Sequence, residues 1–274
     1  MDNELCSREE KYTMRKTMLI VMAASIAGII TISSQPNQLN LTLDSAKDTT
    51  LQSSAAVVEE KSAIERLYEE IELDGKLNFE AFDLAMKGFD KLDFKNKSII
   101  SIIDFSLPST AKRMYVIDLA KKKLLYHSIV SHGRNTGENY AVNFSNRHGS
   151  FQSSLGFYRT ENTYMGGNGY SLVINGLEKG INDQAKARAV VIHGADYCSE
   201  QIIKSTGRLG RSYGCPALPR ELNRPIVNTI KDGTMLFIYA NSPQYFAKST
   251  VVKKHDQGML AQKEEPTQGQ ISLN

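Results

Sequence analysis

From Ser98 onward the chain breaks into short β-branched runs separated by turn-rich segments, and that rhythm constrains the fold more than any other feature. SIISIIDF (98–105) reads as a short buried strand. RMYVID, then LAKKK, then LLYHSIVS (113–131) carry the signature of a hairpin. A stretch rich in Gly, Ser and Asn follows over 132–169 around SSLGFY, and then come YSLVI (170–174), AVVI (189–192) and TMLFIY (234–239). Strands at this spacing predict a mainly β (α+β) body with a mostly antiparallel sheet or sandwich. The segment 221–230 has room for one short helix, and no internal repeat is visible.

Ahead of the strands the period changes. Ile64, Leu67, Tyr68 and Ile71 fall on one face of a helix that Asp74-Gly75 should end. Asn78 is placed to cap a second helix that carries Phe79, Phe82, Met86 and Phe89 on one side. This helical entry is expected over 57–97, as a lid or brace on a catalytic body over 98–246. Residues 18–32, MLIVMAASIAGIITI, form an uncharged apolar run directly after Arg15 and Lys16. A basic flank before such a run is the pattern of an export signal, so residues 1–34 are expected to be a signal peptide or a membrane anchor. Residues 35–56 are expected to be a flexible linker, and the polar stretch 247–274 a tail. The protein should then work outside the cytoplasm, in the periplasm or cell envelope.

The balance of 33 Lys+Arg against 30 Asp+Glu gives a net charge of +3, which offers no nucleic-acid surface. Three cysteines are too few for a disulfide-built scaffold. No HExxH motif accompanies the five scattered histidines, so a zinc peptidase is not expected, and no glycine-rich loop with Lys-Ser/Thr supports nucleotide binding. No metal and no cofactor are expected.

The chemistry concentrates in AVVIHGADYCSEQIIKSTGRLGRSYGCPALP (189–219). A buried strand ending at His193-Gly194 would hold an imidazole at the sheet rim. Further on, Cys215 sits in Ser212-Tyr213-Gly214-Cys215-Pro216, where Gly210 and Gly214 permit a tight backbone and Pro216 stiffens the exit. Acyl transfer to a thiol needs this: a neighbouring base, because a free thiol is largely protonated at neutral pH, and backbone N–H groups near Gly214 and Cys215 for the oxyanion. Two other readings stand beside the Cys215/His193 pair, a buried inert cysteine and a Cys198–Cys215 disulfide. His132-Gly133 and His148-Gly149 are rival histidines, and His132 also follows a strand. A papain-like peptidase would place its cysteine before its histidine, the reverse of the order here.

These residues, His-Gly followed by Ser-x-Gly-Cys on a strand-rich exported chain, resemble the L,D-transpeptidase (YkuD-type) catalytic domain, in the branch described as murein L,D-transpeptidase catalytic domain-like. SHGRNTG, FSNRHGSFQSSLGFY, NGLEKGINDQAKARAVVIHGADY and GRLGRSYGCPALP carry the resemblance over roughly 98–240. It implies a cysteine acyltransferase acting on peptidoglycan stem peptides, at the bond between the L-centre of the third-position diamino acid and the following D-residue. Cys215 would be the nucleophile and His193 its base, with Ser212 and Gly214 shaping the site. Passing the acyl group to water would make the protein an L,D-carboxypeptidase, and a silent envelope-binding domain is the reading from another class. Two positions depart from the family pattern. Tyr213 stands where a histidine is usual, and Pro216-Ala217 where an Arg or Asn is usual. Arg211 or Arg208 is the expected source of positive charge for a stem-peptide carboxylate, with Tyr213 beside them.

Overall fold

A computed structural model describes residues 61–253. The expected signal or anchor segment 1–34, the linker 35–56 and the tail beyond residue 253 lie outside the described residues. Among the described residues no helix is long and apolar enough to cross a membrane.

Helix α1 (Ala63–Glu70) opens on a capping box: Ser62 Oγ accepts from the Glu65 N–H, and the Glu65 carboxylate accepts from the Ser62 N–H. It ends at Glu70, ahead of the Asp74-Gly75 stop. Ile71 caps it, the chain turns over through Glu72 at φ 58°, and Leu73 drops into the core. Helix α2 (Phe79–Lys91) is capped by Asn78 as expected, through the Glu80 N–H at 2.7 Å. Phe82, Ala85 and Met86 are buried, whereas Phe79 is exposed at 37% and joins the Tyr68 ring edge-on. The pair braces the sheet, since Gly88 lets α2 approach Phe157, whose ring stacks on Phe237 with centroids 4.2 Å apart.

Eight strands make one sheet in the order β3-β2-β1-β8-β4-β5-β6-β7. They are β1 (Ile99–Asp104), β2 (Met114–Asp118), β3 (Lys123–Ser128), β4 (Gly156–Gly166), β5 (Gly169–Gly176), β6 (Val191–Gly194), β7 (Ala217–Leu218) and β8 (Met235–Tyr239). Pairings are antiparallel except β1 with β8 and β6 with β7. Of the two expected forms the single sheet is the one built. Its ends meet: Ser131, beyond β3, bridges to Ala217 of β7, and Gly133 bridges to Ser212. This closure brings the segment after β3 against the cysteine loop, although they lie about as far apart in the sheet order as two elements can.

Helices α3 (Glu200–Thr206), α4 (Arg220–Ile230) and α5 (Pro243–Lys248) fill the later crossings. The boundary placed between residues 246 and 247 needs correction. Helix α5 runs through it, and Ser249, Val251 and Val252 are buried beyond it. The cause is Glu178, a carboxylate that burial pushes above its usual range. It accepts from Ser249 Oγ at 2.5 Å, from the Tyr245 hydroxyl at 3.0 Å and from the Phe157 N–H at 2.9 Å, and so pins the chain end to the body.

Candidate active site

The site grows from three neighbouring pieces of backbone. Strand β6 begins at Val191, because Ala189 takes φ 55° at the end of a run of turns. His193 and Gly194 therefore belong to the strand and do not follow it. His193 lies opposite Ser171 of β5 and Ala217 of β7, so its backbone is held from both sides. Nδ1 of His193 sits 3.1 Å from the Gly194 carbonyl. A carbonyl can only accept, so Nδ1 carries the proton and Nε2 keeps its lone pair. Burial lowers the imidazole pKa, the Gly194 carbonyl opposes this, and Arg220 adds to the lowering. The neutral, basic form thus prevails at neutral pH.

The cysteine loop is tied together by one hydroxyl. Ser212 Oγ donates to the Cys215 carbonyl at 2.6 Å and accepts the Gly214 N–H at 3.0 Å. Gly214 has φ 127°, and a Cβ there would meet the Gln152 carbonyl at 2.9 Å and the Arg188 guanidinium at 3.3 Å. Its neighbour Gly133 is as tightly constrained, with the Gly214 Cα 2.9 Å from where a Cβ would stand. A side chain at either position would force the loops apart. The Gly214 N–H is taken by Ser212, the Cys215 N–H lies against its own thiol, and among the described residues the Tyr213 N–H has no protein acceptor. Gly210 serves elsewhere: its N–H bonds the Tyr197 carbonyl at 2.9 Å.

Cys215 reaches the surface in part, and it is a free thiol, as is the buried Cys198. The disulfide reading is thereby set aside for this structure. Burial pushes the Cys198 thiol up to about 12, so it is inert at neutral pH. Burial also raises the Cys215 pKa, and three groups pull it back: the Val191 N–H, 3.4 Å from Sγ, the Arg188 guanidinium and the cysteine's own N–H. The thiol rests on the Val191 N–H at the start of β6 and on the Ala189 carbonyl just ahead of it (3.8 Å), and no hydrogen bond joins it to His193.

Arg188 is the participant that sequence reading missed. NH1 donates to the Ser145 carbonyl at 2.7 Å and NH2 to the Gln152 carbonyl at 2.6 Å, so one cation gathers the 145–154 loop, whose Ser153 Oγ in turn donates to the Gly214 carbonyl at 3.0 Å. Among the described residues no carboxylate pairs with it. Its signal was its place in the run AKARAVVIHG, five residues ahead of His193.

The other predicted residues distribute as follows. Arg211 donates to Glu138 at 2.7 Å and to the Arg134 and Gly137 carbonyls, and Arg208 pairs with the same Glu138 at 3.0 Å. Tyr213 is 68% exposed, its ring packs on Phe151 at 5.0 Å, and Arg134 lies over it at 5.9 Å. His148 is exposed on its loop. His132, buried at 1% exposure, accepts from Arg113 at Nδ1 (2.8 Å) and so donates from Nε2 to the Gly137 carbonyl (3.2 Å). Both ring nitrogens are thus spent, and it has no lone pair to offer a thiol.

Burial and the Arg113 charge bring the His132 pKa down to about 4. The unfolded chain, with an ordinary histidine near 6.5, therefore binds this proton more tightly than the folded one. Stability should be complete above pH 6.5 and fall as pH drops toward 4, by about 3 kcal/mol from this group. Urea unfolding at pH 7 and at pH 4.5 in the wild type and in His132→Gln checks it. The drop between the two pH values should be smaller in the variant. An equal drop would remove the assignment.

The model of the L,D-transpeptidase catalytic domain matches residues 73–239, well over half of the chain. No curated protein matches the sequence. Solved structures similar to it include an L,D-transpeptidase from Mycobacterium smegmatis, at 13% identity and TM-score 0.33 over 52% of this chain and 59% of that one. An L,D-transpeptidase from Stackebrandtia nassauensis is 15% identical at TM-score 0.32, over 66% and 77%. The helical cell shape determining protein from Campylobacter jejuni is 13% identical at TM-score 0.37, over 58% and 56%. The match spans about three fifths of the first of these. With its motifs falling inside the matched segment, on the two strands and the loop just described, the chain belongs to the L,D-transpeptidase catalytic domain family.

Proposed function

We propose that the protein is an envelope-located cysteine acyltransferase acting on peptidoglycan stem peptides, with Cys215 as nucleophile and His193 as base. The observation that supports this reading is a partly exposed thiol on a loop locked by Ser212, leading into the strand that pairs with the one carrying His193, whose Nδ1 is spent on the Gly194 carbonyl. The thiol–imidazole hydrogen bond is expected to form in the substrate complex, where catalytic hydrogen bonds commonly tighten.

In the reaction, His193 takes the thiol proton and the thiolate adds to the carbonyl carbon of the third residue. The N–H groups of Tyr213 and Cys215 receive the oxyanion. The C–N bond to the D-residue then breaks, with His193 returning the proton to the leaving amine. An acceptor amine attacks the thioester, and the thiol is restored. Arg208 and Arg211 bring two positive charges against the one carboxylate of Glu138, which leaves a net positive flank for a stem-peptide carboxylate. Tyr213 and Phe151 offer an apolar face beside it. The basic flank and apolar run at 15–32 support export.

The test is incubation of the full-length chain with purified tetrapeptide muropeptides and identification of the products by mass. Loss of the terminal D-residue with formation of cross-linked dimers is expected, and loss without dimers would assign water as the acceptor. A tetrapeptide that persists unchanged, with Cys215 never acylated, would overturn the enzyme reading in favour of a silent binding domain.

A further inference from the structure

A cleft of about 1030 Å³ opens beside the 145–154 loop and is not lined by Cys215. Ser145 and Gln152 are part of its lining. Those two residues present the carbonyls that Arg188 grips from behind, so one loop is the outer wall of the cleft and the inner support of the cysteine.

Three features define what fits there. The floor is apolar, built from Phe105, Leu155 and Tyr245, all buried. The rim carries side-chain amides. Those of Asn143, Asn241 and Gln244 make no hydrogen bond within the described protein, and each offers both a donor and an acceptor. Tyr140, 54% exposed, adds an aromatic face at the edge. Arg147 and Lys248 also line the cleft, whereas no Asp or Glu does.

An extended peptide is a poor match for such a lining. No lining residue belongs to a strand, so there is no sheet edge to extend by backbone pairing. Discrete amides above an apolar floor, with an aromatic ring at the rim, suit a ligand that alternates hydroxyl or acetamido groups with apolar ring faces. The volume exceeds what one residue fills and allows a disaccharide or longer. The absence of acids leaves room for the carboxylates of an attached peptide.

We infer that this cleft is a saccharide subsite, which takes N-acetylated amino-sugar units of the glycan strand while the attached stem peptide crosses Gln152 to Cys215. The inference rests on the peptidoglycan reading and adds the part of the substrate that reading leaves unplaced.

The test uses the full-length chain and a soluble oligomer of N-acetylglucosamine, titrated by calorimetry, with the deacetylated oligomer as comparison. Saturable binding is expected, weaker by at least about tenfold in Tyr140→Ala and in Asn241→Ala and weaker for the deacetylated sugar, with the Cys215 alkylation rate unchanged in both variants. No binding at millimolar sugar overturns the subsite, as does binding undiminished in both variants or equal for the two sugars. Turnover of a tetrapeptide by a protein that does not bind the sugar would sink this inference and leave the acyltransferase standing. Sugar binding without turnover would do the reverse.

Discussion

Replacing Cys215 by alanine is expected to abolish release of the D-residue from a tetrapeptide stem, a loss of at least about 10⁴-fold. No other group in the site can form the acyl intermediate. Ser212 carries the hydroxyl of this loop, and it donates to the Cys215 carbonyl and accepts the Gly214 N–H. Cys198 is buried beneath Ile129 and Leu209 and stays protonated. The change should spare the fold, because Sγ gives up one long contact to the Val191 N–H and one to the Ala189 carbonyl, while the loop is held by Ser212 and Ser153. The thiol is partly buried against the core, so its loss should cost about 1 kcal/mol of stability. Product mass against time and a thermal unfolding curve decide the matter together. Turnover preserved in a folded variant would disprove the nucleophile.

What the sequence made legible was local. β-branched runs marked β1, β2 and β8, which are buried along their whole length, and the turn between β2 and β3 marked their hairpin although β3 is mostly half-buried. The Asn78 cap and the capped helix after it needed nothing from the rest of the chain. Cys215 and His193 stood out because their neighbours, Ser212, Gly214 and Gly194, are chemically unusual in sequence. What stayed hidden depends on contacts distant in the chain. The start of β6 at Val191 is set by the positive φ of Ala189 and by Cys215 Sγ on the Val191 N–H. The parallel β1–β8 pairing and the closure through Ser131 and Gly133 join segments that share no local pattern. Arg188 looked like one more charge in a polar run, because its partners, the Ser145 and Gln152 carbonyls, are backbone groups that every residue possesses. Nor did sequence reveal that Ser212 spends the Gly214 N–H, which removes it from the donors available to an oxyanion.

The rate at which iodoacetamide labels Cys215 should separate the two groups able to ready the thiol. Burial alone raises the thiol pKa, so an unaided Cys215 would be less reactive at neutral pH than a free cysteine. Under the proposed mechanism His193 would oppose this by taking the proton, while the Arg188 charge lowers the thiol pKa. Since burial holds His193 below its ordinary pKa, the imidazole is ready to accept at pH 7, and labelling should rise with pH as the pair loses one proton. His193→Ala should slow labelling at pH 7 by roughly tenfold or more and move the midpoint upward, and kcat/KM should fall by about 10²- to 10⁴-fold. Arg188→Met should also move the midpoint upward. Arg188→Lys should recover part of the shift, as a charge effect requires and a purely structural staple does not. Peptide-resolved mass spectrometry reports Cys215 separately from Cys198 and Cys6. Labelling unchanged in His193→Ala but slowed in Arg188→Met would make the guanidinium, and not the imidazole, the group that activates the thiol. Labelling unchanged in both would mean that Cys215 is an ordinary cysteine at the end of a strand, and the protein a binding domain built on an acyltransferase fold.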